Sequence, residues 1–319
     1  MHHRVQNFLN SVNLGTGLRR QPADQSTAPR SPPRGEWDNG PRKIRRGAGL
    51  ETSRIAVKGI EFGGPGFVVI AGPCAVEGAE QMELAASAVR RAGALMLRGG
   101  AFKPRTSPYA FQGMGEPGIR ILSEAGRRHG LPVIAEVMDA SQIPRMLERV
   151  DVLQVGARNM QNFSLLRALA RLRRPVLLKR GFCSTVREWF LAAEYLLDGG
   201  NEQVILCERG IRTFETALRN TLDLSAVAYA KLHNRLPVIV DPSHATGNRD
   251  LVIPMSLAAA ACGADGLLLE VHPDPDRALC DGPQALAPDE FQTLMEKLPK
   301  VLESVGRFLG APSLSRASV

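Results

Sequence analysis

The sequence predicts an α/β protein, specifically a (β/α)8 TIM barrel that follows a short N-terminal β-hairpin and a disordered N-terminal tail. Two observations support this fold class. Eight apolar segments of strand length recur along the chain, and amphipathic helical segments separate them. The chain has 319 residues, and a barrel of this type needs roughly 250. No apolar run approaches the roughly 20 residues of a membrane span, so we expect no membrane partner.

The predicted elements follow one another in a regular order. IAVKGIEFGGPG, which begins at Ile55, is typical of a hairpin with a glycine-rich turn. Helical stretches such as GAEQMELAASAVRRAG and EWFLAAEYLLDGG lie between the later strands and end in glycine, as helices often do. A final helix is predicted near Pro288–Leu309. The predicted barrel strands are Phe67–Ala71, Ala94–Arg98, Pro132–Glu136, Val152–Val155, Pro175–Lys179, Gln203–Cys207, Pro237–Asp241 and Gly266–Glu270.

A doubly wound open sheet is the competing fold. Such a sheet carries a glycine-rich phosphate-binding fingerprint after its first strand. The segment AGPCAVEG, which follows the first predicted barrel strand, does not match that fingerprint. The repeated alternation of strand and helix without it favours the barrel.

Residues 1–52 differ in composition from the rest of the chain. Residues 1–50 hold eight Arg and one Lys against three acidic residues, so they carry +6 of the net charge of +8. This segment is rich in Arg, Pro, Gly and Ser, and we expect it to be disordered apart from a short helix around Val5–Val12. An Arg-rich organelle transit peptide is the alternative. Residues 53–310 would form the barrel, and residues 311–319 a C-terminal tail.

Charge and cysteine usage narrow the function classes. Outside the tail the chain carries only +2, so we expect no nucleic-acid partner for the folded part. Weak, salt-dependent binding of nucleic acid by the tail stays open. The five cysteines show no paired spacing, and no signal peptide precedes them. Both features favour a reducing compartment, the cytoplasm.

Four segments carry potential metal ligands, and three of the four follow a run of apolar residues that is typical of a buried strand. The ligands are Cys74 in VVIAGPC, His244 in VDPSHATG, Glu270 in LLLEVHP and Asp281 in LCDG. A thiolate, an imidazole and two carboxylates together suit a divalent transition metal. Because the carboxyl ends of barrel strands meet on one face, the sequence predicts a single metal site there.

Charged side chains, or Cys74 in the case of the first strand, end or follow all eight predicted barrel strands. Taken singly, an Arg or Lys after a strand is usually a solvated loop residue. Desolvated cations without anionic partners are costly, so a pocket that collects them should hold anions. Two phosphorylated substrates would account for the number of cations. The set comprises Arg98, Lys103, Glu136, Arg158, Lys179 and Arg209, among others.

Several long segments resemble one enzyme family. LRGGAFKPRTSPYAFQG, LQVGARNMQNFSLL, PVLLKRGF, VILCERGIRTFE, LPVIVDPSHATG and LEVHPDPDRALCDG are similar to 3-deoxy-D-arabino-heptulosonate 7-phosphate (DAHP) synthases of type Iβ. The resemblance runs from about residue 55 to residue 300. It implies condensation of phosphoenolpyruvate with erythrose 4-phosphate and water, the first step of the shikimate pathway of aromatic amino acid biosynthesis.

The resemblance also implies roles for individual residues. Cys74, His244, Glu270 and Asp281 would bind one divalent metal ion (Mn, Fe, Co or Zn), and His244 as a neutral ligand implies activity that falls at acid pH. Lys103 would be a candidate proton donor to the new alkoxide, with metal-bound water as its rival. Phosphoenolpyruvate would lie on Arg98, Lys103, Arg158, Lys179 and Arg209, with Glu136 as an orienting residue. The phosphate of erythrose 4-phosphate would lie on Arg105, Thr106 and Ser107.

The remaining cysteines receive no chemical role. Cys183, Cys207 and Cys262 are interpreted as packing residues, and Cys280 as a neighbour of the metal site. Family members are usually tetramers, so a homo-oligomer is expected. Residues 1–50 lack the pattern of the regulatory domains found in many type Iβ enzymes, so we expect no inhibition by tyrosine or phenylalanine through such a domain.

Three alternative functions stay open. The sister enzyme makes 3-deoxy-manno-octulosonate 8-phosphate from arabinose 5-phosphate, and the loop Lys103–Thr106 favours the heptulosonate enzymes. A class I aldolase would use Lys179 as a Schiff-base residue. A non-catalytic protein would bind sugar phosphates, or polyanions through its tail.

Overall fold

The computed structural model describes residues 40–47 and 51–311. Within them, no helix is both long and apolar enough to cross a bilayer. Two short strands come first, β1 (Ile55–Val57) and β2 (Ile60–Phe62). The eight barrel strands are β3 (Gly66–Gly72), β4 (Met96–Arg98), β5 (Val133–Glu136), β6 (Val152–Val155), β7 (Val176–Lys179), β8 (Val204–Glu208), β9 (Val238–Val240) and β10 (Gly266–Glu270).

The barrel strands form one closed parallel sheet. Each strand pairs with the next along the chain, from β3 to β10. The ring closes where β10 pairs with β3, with Gly266 opposite Val68 and Glu270 opposite Gly72. This confirms the predicted (β/α)8 TIM barrel, and every predicted barrel strand overlaps an observed one.

Helices connect the barrel strands on the outside. They are α1 (Ala79–Arg91), α2 (Glu116–His129), α3 (Ile143–Leu147), α4 (Phe163–Ala170), α5 (Val186–Asp198), α6 (Leu224–His233), α7 (Pro242–Thr246), α8 (Arg249–Ala261) and α9 (Pro288–Ser304). Local signals set their ends. In α5, for example, Thr185 and Glu188 form a capping box at the N-terminus. Short α7 and longer α8 together span the connection from β9 to β10.

The predicted final helix was too long. It ends at Ser304, and Gly306 follows with a φ of 71°. Glycine takes this left-handed conformation without strain and so commonly terminates helices. Phe308 and Leu309, which were expected to be helical, form strand β11 and pair in parallel with Gly66 and Phe67.

The hairpin closes the amino-terminal end of the barrel. Its turn lies at Lys58 and Gly59, which both have positive φ, and the later glycines of GGPG follow β2. The apolar residues Ile55 and Phe62 are buried in one cluster with residues of the barrel interior such as Ile70. Burying each large apolar side chain contributes about 1.5–3 kcal/mol. The opposite end of the barrel is left for polar chemistry.

Part of the predicted tail contacts the barrel. Ile44 is fully buried, its backbone N–H donates to Glu194 at 2.7 Å, and its carbonyl accepts from the N–H of Arg235 at 2.9 Å. The boundary predicted at residue 52 therefore lies too late for residues 40–47. The helix predicted around Val5–Val12 and the tail at residues 312–319 lie outside the described residues.

Candidate active site

Charged residues occupy the carboxyl ends of the barrel strands. Arg98, Glu136, Lys179, Glu208 and Glu270 are the last residues of β4, β5, β7, β8 and β10, respectively. Because parallel strands end on the same face, their side chains converge. The expected charged face therefore lies opposite the hairpin.

The four predicted metal ligands come together on this face. One ligand atom each from Cys74, His244, Glu270 and Asp281 lies within 4.8 Å of the other three. His244 Nε2 is 3.2 Å from Glu270 Oε1 and 3.9 Å from Asp281 Oδ2. Sulfur, nitrogen and two oxygens at these separations fit a mid-size divalent cation such as Zn²⁺, Fe²⁺, Co²⁺ or Mn²⁺. The donor set does not choose among these metals.

Asp241 orients the imidazole of His244. Its Oδ2 lies 2.7 Å from His244 Nδ1, and its Oδ1 accepts the backbone N–H of His244 at 2.9 Å. A carboxylate on one ring nitrogen fixes the tautomer and turns the other nitrogen toward a metal. Burial lowers the pKa of His244 more than the nearby carboxylates raise it, so the ring stays neutral, as a ligand must be. This role of Asp241 was not predicted from the sequence.

Lys103 and Cys280 flank the thiol of Cys74. Lys103 Nζ donates to Cys74 Sγ at 2.9 Å, and the two sulfur atoms are 3.4 Å apart. The hydrogen bond with Cys280 and burial raise the pKa of the Cys74 thiol well above its usual value. Arg105 also donates to the sulfur of Cys280. The loop after β4 therefore reaches the ligand cluster through Lys103, and it reaches the neighbouring Cys280 through Arg105.

A cavity of about 290 Å³ opens beside the ligand cluster. Every residue predicted to bind substrate contributes to its wall. These are Arg98, Lys103, Arg105, Thr106, Ser107, Glu136, Arg158, Lys179 and Arg209, and His244 and Asp281 join them. Cys74 and Glu270 lie beneath this wall and are almost completely buried. The cavity therefore combines a ligand cluster with a wall of cations.

An aromatic ring gathers three arginines at one side of the cavity. The guanidinium carbons of Arg158, Arg209 and Arg212 lie 5.3, 4.6 and 5.0 Å from the centre of the Phe182 ring. The face of an aromatic ring attracts cations, which offsets part of their mutual repulsion. Such an arrangement is suited to a multiply charged anion. Phe182 was absent from the sequence prediction.

Glu136 is packed tightly against the loop that carries Arg158. A Cβ added at Gly156 would lie 2.0 Å from Glu136 Oε1. On the same carboxylate, Oε2 accepts from the side-chain amide of Gln154 at 3.4 Å. Only glycine at position 156 leaves room for the carboxylate in this place.

Two further residues of the site were not predicted from the sequence. Arg219 lines the cavity, and Gln284 is buried behind Glu270. No local pattern marks either residue, because their partners lie on other loops.

One interpretation of the cysteines was wrong, since Cys183 is exposed and does not pack. Cys207 is buried and Cys262 is partly buried.

Comparison with known proteins identifies the family of the chain that carries this site. Residues 51–305 match the family model described as the DAHP synthetase I family. The chain belongs to this family. The predicted resemblance is therefore confirmed, and membership of the DAHP synthetase I family makes the chain an enzyme of the aldolase type.

Two curated relatives illustrate the breadth of the similarity. A phospho-2-dehydro-3-deoxyheptonate aldolase of Thermotoga maritima is 48% identical over 256 residues, which cover 80% of this chain and 76% of that protein. A 2-dehydro-3-deoxyphosphooctonate aldolase of Syntrophobacter fumaroxidans is 33% identical over 263 residues, covering 77% and 90%. The heptonate enzyme is the more similar of these two.

Two solved structures of the heptonate enzyme are also similar to this chain. The crystal structure of the DAHP synthase of Thermotoga maritima has a TM-score of 0.82 at 46% identity and covers 84% of this chain and 79% of that chain. A truncated form of 3-deoxy-D-arabino-heptulosonate 7-phosphate synthase from the same organism has a TM-score of 0.78 at 44% identity, with coverage of 83% and 98%. The barrel of the DAHP synthetase I family is thus present over most of the chain.

Proposed function

We propose that the protein condenses phosphoenolpyruvate with erythrose 4-phosphate and water to give DAHP and inorganic phosphate, and that it needs a divalent metal ion. The observation that carries this proposal is the meeting of the ligand cluster and the cationic cavity on one face of the barrel. The 48% identity to the Thermotoga maritima enzyme supports the heptonate product.

Phosphoenolpyruvate would bind on the arginine side of the cavity. Arg158 and Arg209 can make forked contacts with its phosphate and carboxylate, while Lys179 supplies a point charge. Arg98 and Lys103 would hold the end of the substrate that faces the ligand cluster. Glu136, fixed by its packing, would orient these cations.

Erythrose 4-phosphate would enter along the loop after β4. The phosphate would lie on Arg105, Thr106 and Ser107, which line the same cavity. Pro104 fixes its φ angle, so less conformational entropy is lost when the loop closes on the sugar phosphate. Holding two anions side by side removes much of the entropic barrier, an effect of up to about 7–11 kcal/mol.

The bond changes follow from these positions. A cation on Cys74, His244, Glu270 and Asp281 would supply Lewis-acid polarisation of the aldehyde carbonyl. The C2=C3 π electrons of phosphoenolpyruvate form the new bond from C3 to the aldehyde carbon, and the aldehyde oxygen takes a proton from Lys103. Water then adds to the electron-poor C2 and gives up a proton, which restores the ammonium group of Lys103. The C2–O bond to phosphate of the resulting hemiketal phosphate breaks, inorganic phosphate leaves with the proton of the C2 hydroxyl, and C2 becomes the ketone.

The protonation of Lys103 fits this role. Burial by itself lowers the pKa of Lys103, but the neighbouring Cys74, Cys280 and Glu270 more than offset burial, so the pKa lies above its ordinary value. The ammonium group is therefore charged at neutral pH and stands 3.1 Å from the carbonyl oxygen of Cys74. It is a cation able to donate beside the ligand cluster.

A Schiff-base mechanism on Lys179 receives less support. Lys179 Nζ donates to Asp241 Oδ2 at 2.5 Å in a fully buried ion pair. A Schiff base on Lys179 would have to break this buried ion pair before the amine could attack a carbonyl. The geometry favours an electrostatic role for Lys179.

The test is an assay of phosphoenolpyruvate loss and phosphate release. Erythrose 4-phosphate and arabinose 5-phosphate are each tried with Mn²⁺ and with EDTA. We expect turnover of erythrose 4-phosphate that EDTA abolishes. Preference for arabinose 5-phosphate would move the activity to the octulosonate branch, and no turnover by folded, metal-loaded protein would overturn the proposal. Light scattering on the same sample tests the expected tetramer.

A further inference from the structure

Gln284 is a buried amide wedged between two charged groups. Its Nε2 donates to Glu270 Oε2 at 2.5 Å, and its Oε1 accepts from Arg219 at 2.5 Å. Only 2% of the residue is exposed. The opposite amide orientation would place the NH₂ group against a guanidinium and the oxygen against a carboxylate. The side chain therefore has one acceptable orientation.

This hydrogen bond decides which oxygen of Glu270 faces the ligand cluster. With Oε2 held by Gln284, Oε1 is the atom that lies 3.2 Å from His244 Nε2. Oε1 also accepts from Arg98 at 2.6 Å. The carboxylate thus cannot rotate without breaking a buried, charge-assisted hydrogen bond.

Arg219 does the same for Asp281. It donates to Asp281 Oδ1 at 3.3 Å, while Oδ2 lies 3.2 Å from Cys74 Sγ and faces the cluster. Asp281 has a positive φ of 57°, and it is joined to Gln284 through one short turn in which the Gln284 N–H donates to the Asp281 carbonyl. One guanidinium therefore contacts Asp281 directly and Glu270 through Gln284.

The position of Arg219 depends in turn on the segment that follows His244. The backbone N–H of Arg219 donates to the carbonyl of Thr246 at 3.1 Å. A Cβ at Gly247 would lie 2.5 Å from the Cβ of Arg219, and Gly247 has a φ of 67°. The loop after β8 is thereby seated on the short helix α7, which carries His244.

We propose that Gln284 and Arg219 are positioning residues that present a single oxygen of Glu270 and a single oxygen of Asp281 to the metal ion. This inference rests on the metal dependence proposed above. Neither residue belongs to the four-residue ligand cluster. Both act by fixing the orientation of a carboxylate. Arg219 also lines the cavity, so the same side chain contacts both the cavity and the partners of the ligand cluster.

The experiment is calorimetric titration of chelator-stripped full-length protein with Mn²⁺. We expect Gln284→Met and Arg219→Met each to weaken binding by about 10–100-fold, the usual effect of losing a partner of a metal ligand. The double variant should lose less than the product of the two single effects, because both act through one chain of hydrogen bonds. With Co²⁺, each variant should also shift the visible absorption bands.

Asn201 offers a matched control. It is a buried amide that bonds to Leu169 and Arg174 near the start of β8, at the other end of the barrel. Asn201→Leu should lower the melting temperature and leave the Mn²⁺ affinity within about threefold. Arg219 is partly exposed, so its variant tests the proposal even where Gln284→Met does not fold.

The outcomes separate the two proposals. Tight Mn²⁺ binding by the unmodified protein, with unchanged affinity and Co²⁺ spectrum in Arg219→Met, would overturn the positioning role and leave the metal site standing. No Mn²⁺ binding by the unmodified protein would overturn the metal site and the positioning role together.

Discussion

The sulfur atoms of Cys74 and Cys280 lie 3.4 Å apart, yet only Cys74 belongs to the ligand cluster. Cys280 instead accepts a hydrogen bond from Arg105, on the loop that we propose for sugar-phosphate binding. The two thiols are therefore neighbours with different partners. Substitution of each can separate their roles.

Cys74→Ser should abolish tight Mn²⁺ binding and activity, because it removes the thiolate from the ligand set. A loss of affinity above about 100-fold would exceed the effect of losing an outer partner. Cys280→Ser is the matched control, and its Mn²⁺ affinity should stay within about tenfold of the unmodified protein. Calorimetry on stripped protein measures both, and equal losses in the two variants would make Cys280 a ligand as well.

Metal affinity should rise with pH. The hydrogen bond with Cys280 and burial raise the pKa of Cys74, so the thiol is protonated at neutral pH and must release its proton when it binds a cation. Burial lowers the pKa of His244, so the imidazole is already neutral. With one proton released, the affinity should increase about tenfold per pH unit between about pH 6 and pH 8.

Titration with Mn²⁺ in buffers of different ionisation enthalpy would count the released protons. Activity at subsaturating metal should fall toward acid pH for the same reason. A flat affinity over this range would show that Cys74 is already a thiolate, or that it does not bind the cation.

The sequence predicts the barrel strands more completely than it predicts features that depend on contacts between distant residues. Val152–Val155 and Gly266–Glu270 were predicted with their observed bounds, because apolar runs that end in charged or turn residues are local signals. The helix over Pro288–Leu309 was predicted too long, since the terminating role of Gly306 depends on its backbone conformation and on the pairing of β11 with β3.

The same contrast holds within the site. Cys74 and Glu270 could be predicted because Cys74 follows β3 by two residues and Glu270 ends β10, and the topology of the barrel brings these strand ends together. Gln284 and Arg219 could not be predicted, because the proposed role of each depends on a hydrogen bond between loops that are far apart in the sequence. Phe182 was not predicted for the same reason, because its role depends on three arginines, at positions 158, 209 and 212, that lie at least 24 residues away in the sequence.

Phe182→Leu should raise the KM for phosphoenolpyruvate by about tenfold with a smaller change in kcat. The ring stabilises a group of like charges, and a cation–π contact contributes about 0.5–2 kcal/mol. Phe163→Leu is the matched control, since Phe163 stacks on Tyr195 in α4 and α5, outside the cavity. Steady-state kinetics with varied phosphoenolpyruvate measures both variants, and an unchanged KM in Phe182→Leu would argue against the proposed anion site.

Gly156→Ala should lower kcat/KM for phosphoenolpyruvate by up to about 100-fold, because displacement of a positioning group by about 1 Å can cost that much. The added methyl group would fall 2.0 Å from Glu136 Oε1 and push the carboxylate aside. Gly78→Ala serves as control, because its added methyl group would meet nothing within 4 Å. That variant should keep its activity within about twofold, and equal effects at the two positions would contradict the steric account.

The short strand β11 extends the sheet at the amino-terminal end of the barrel, opposite the candidate active site. Phe308 and Leu309 pair with the start of β3, and Arg307 donates to the carbonyls of Gly64 and Ala264. Residues near the end of the described chain are therefore hydrogen-bonded to the first strand of the barrel. Because β3 also pairs with β4 and β10, residues from the start and from the end of the barrel sequence belong to one hydrogen-bonded sheet, and β3 and β11 should melt as one cooperative unit.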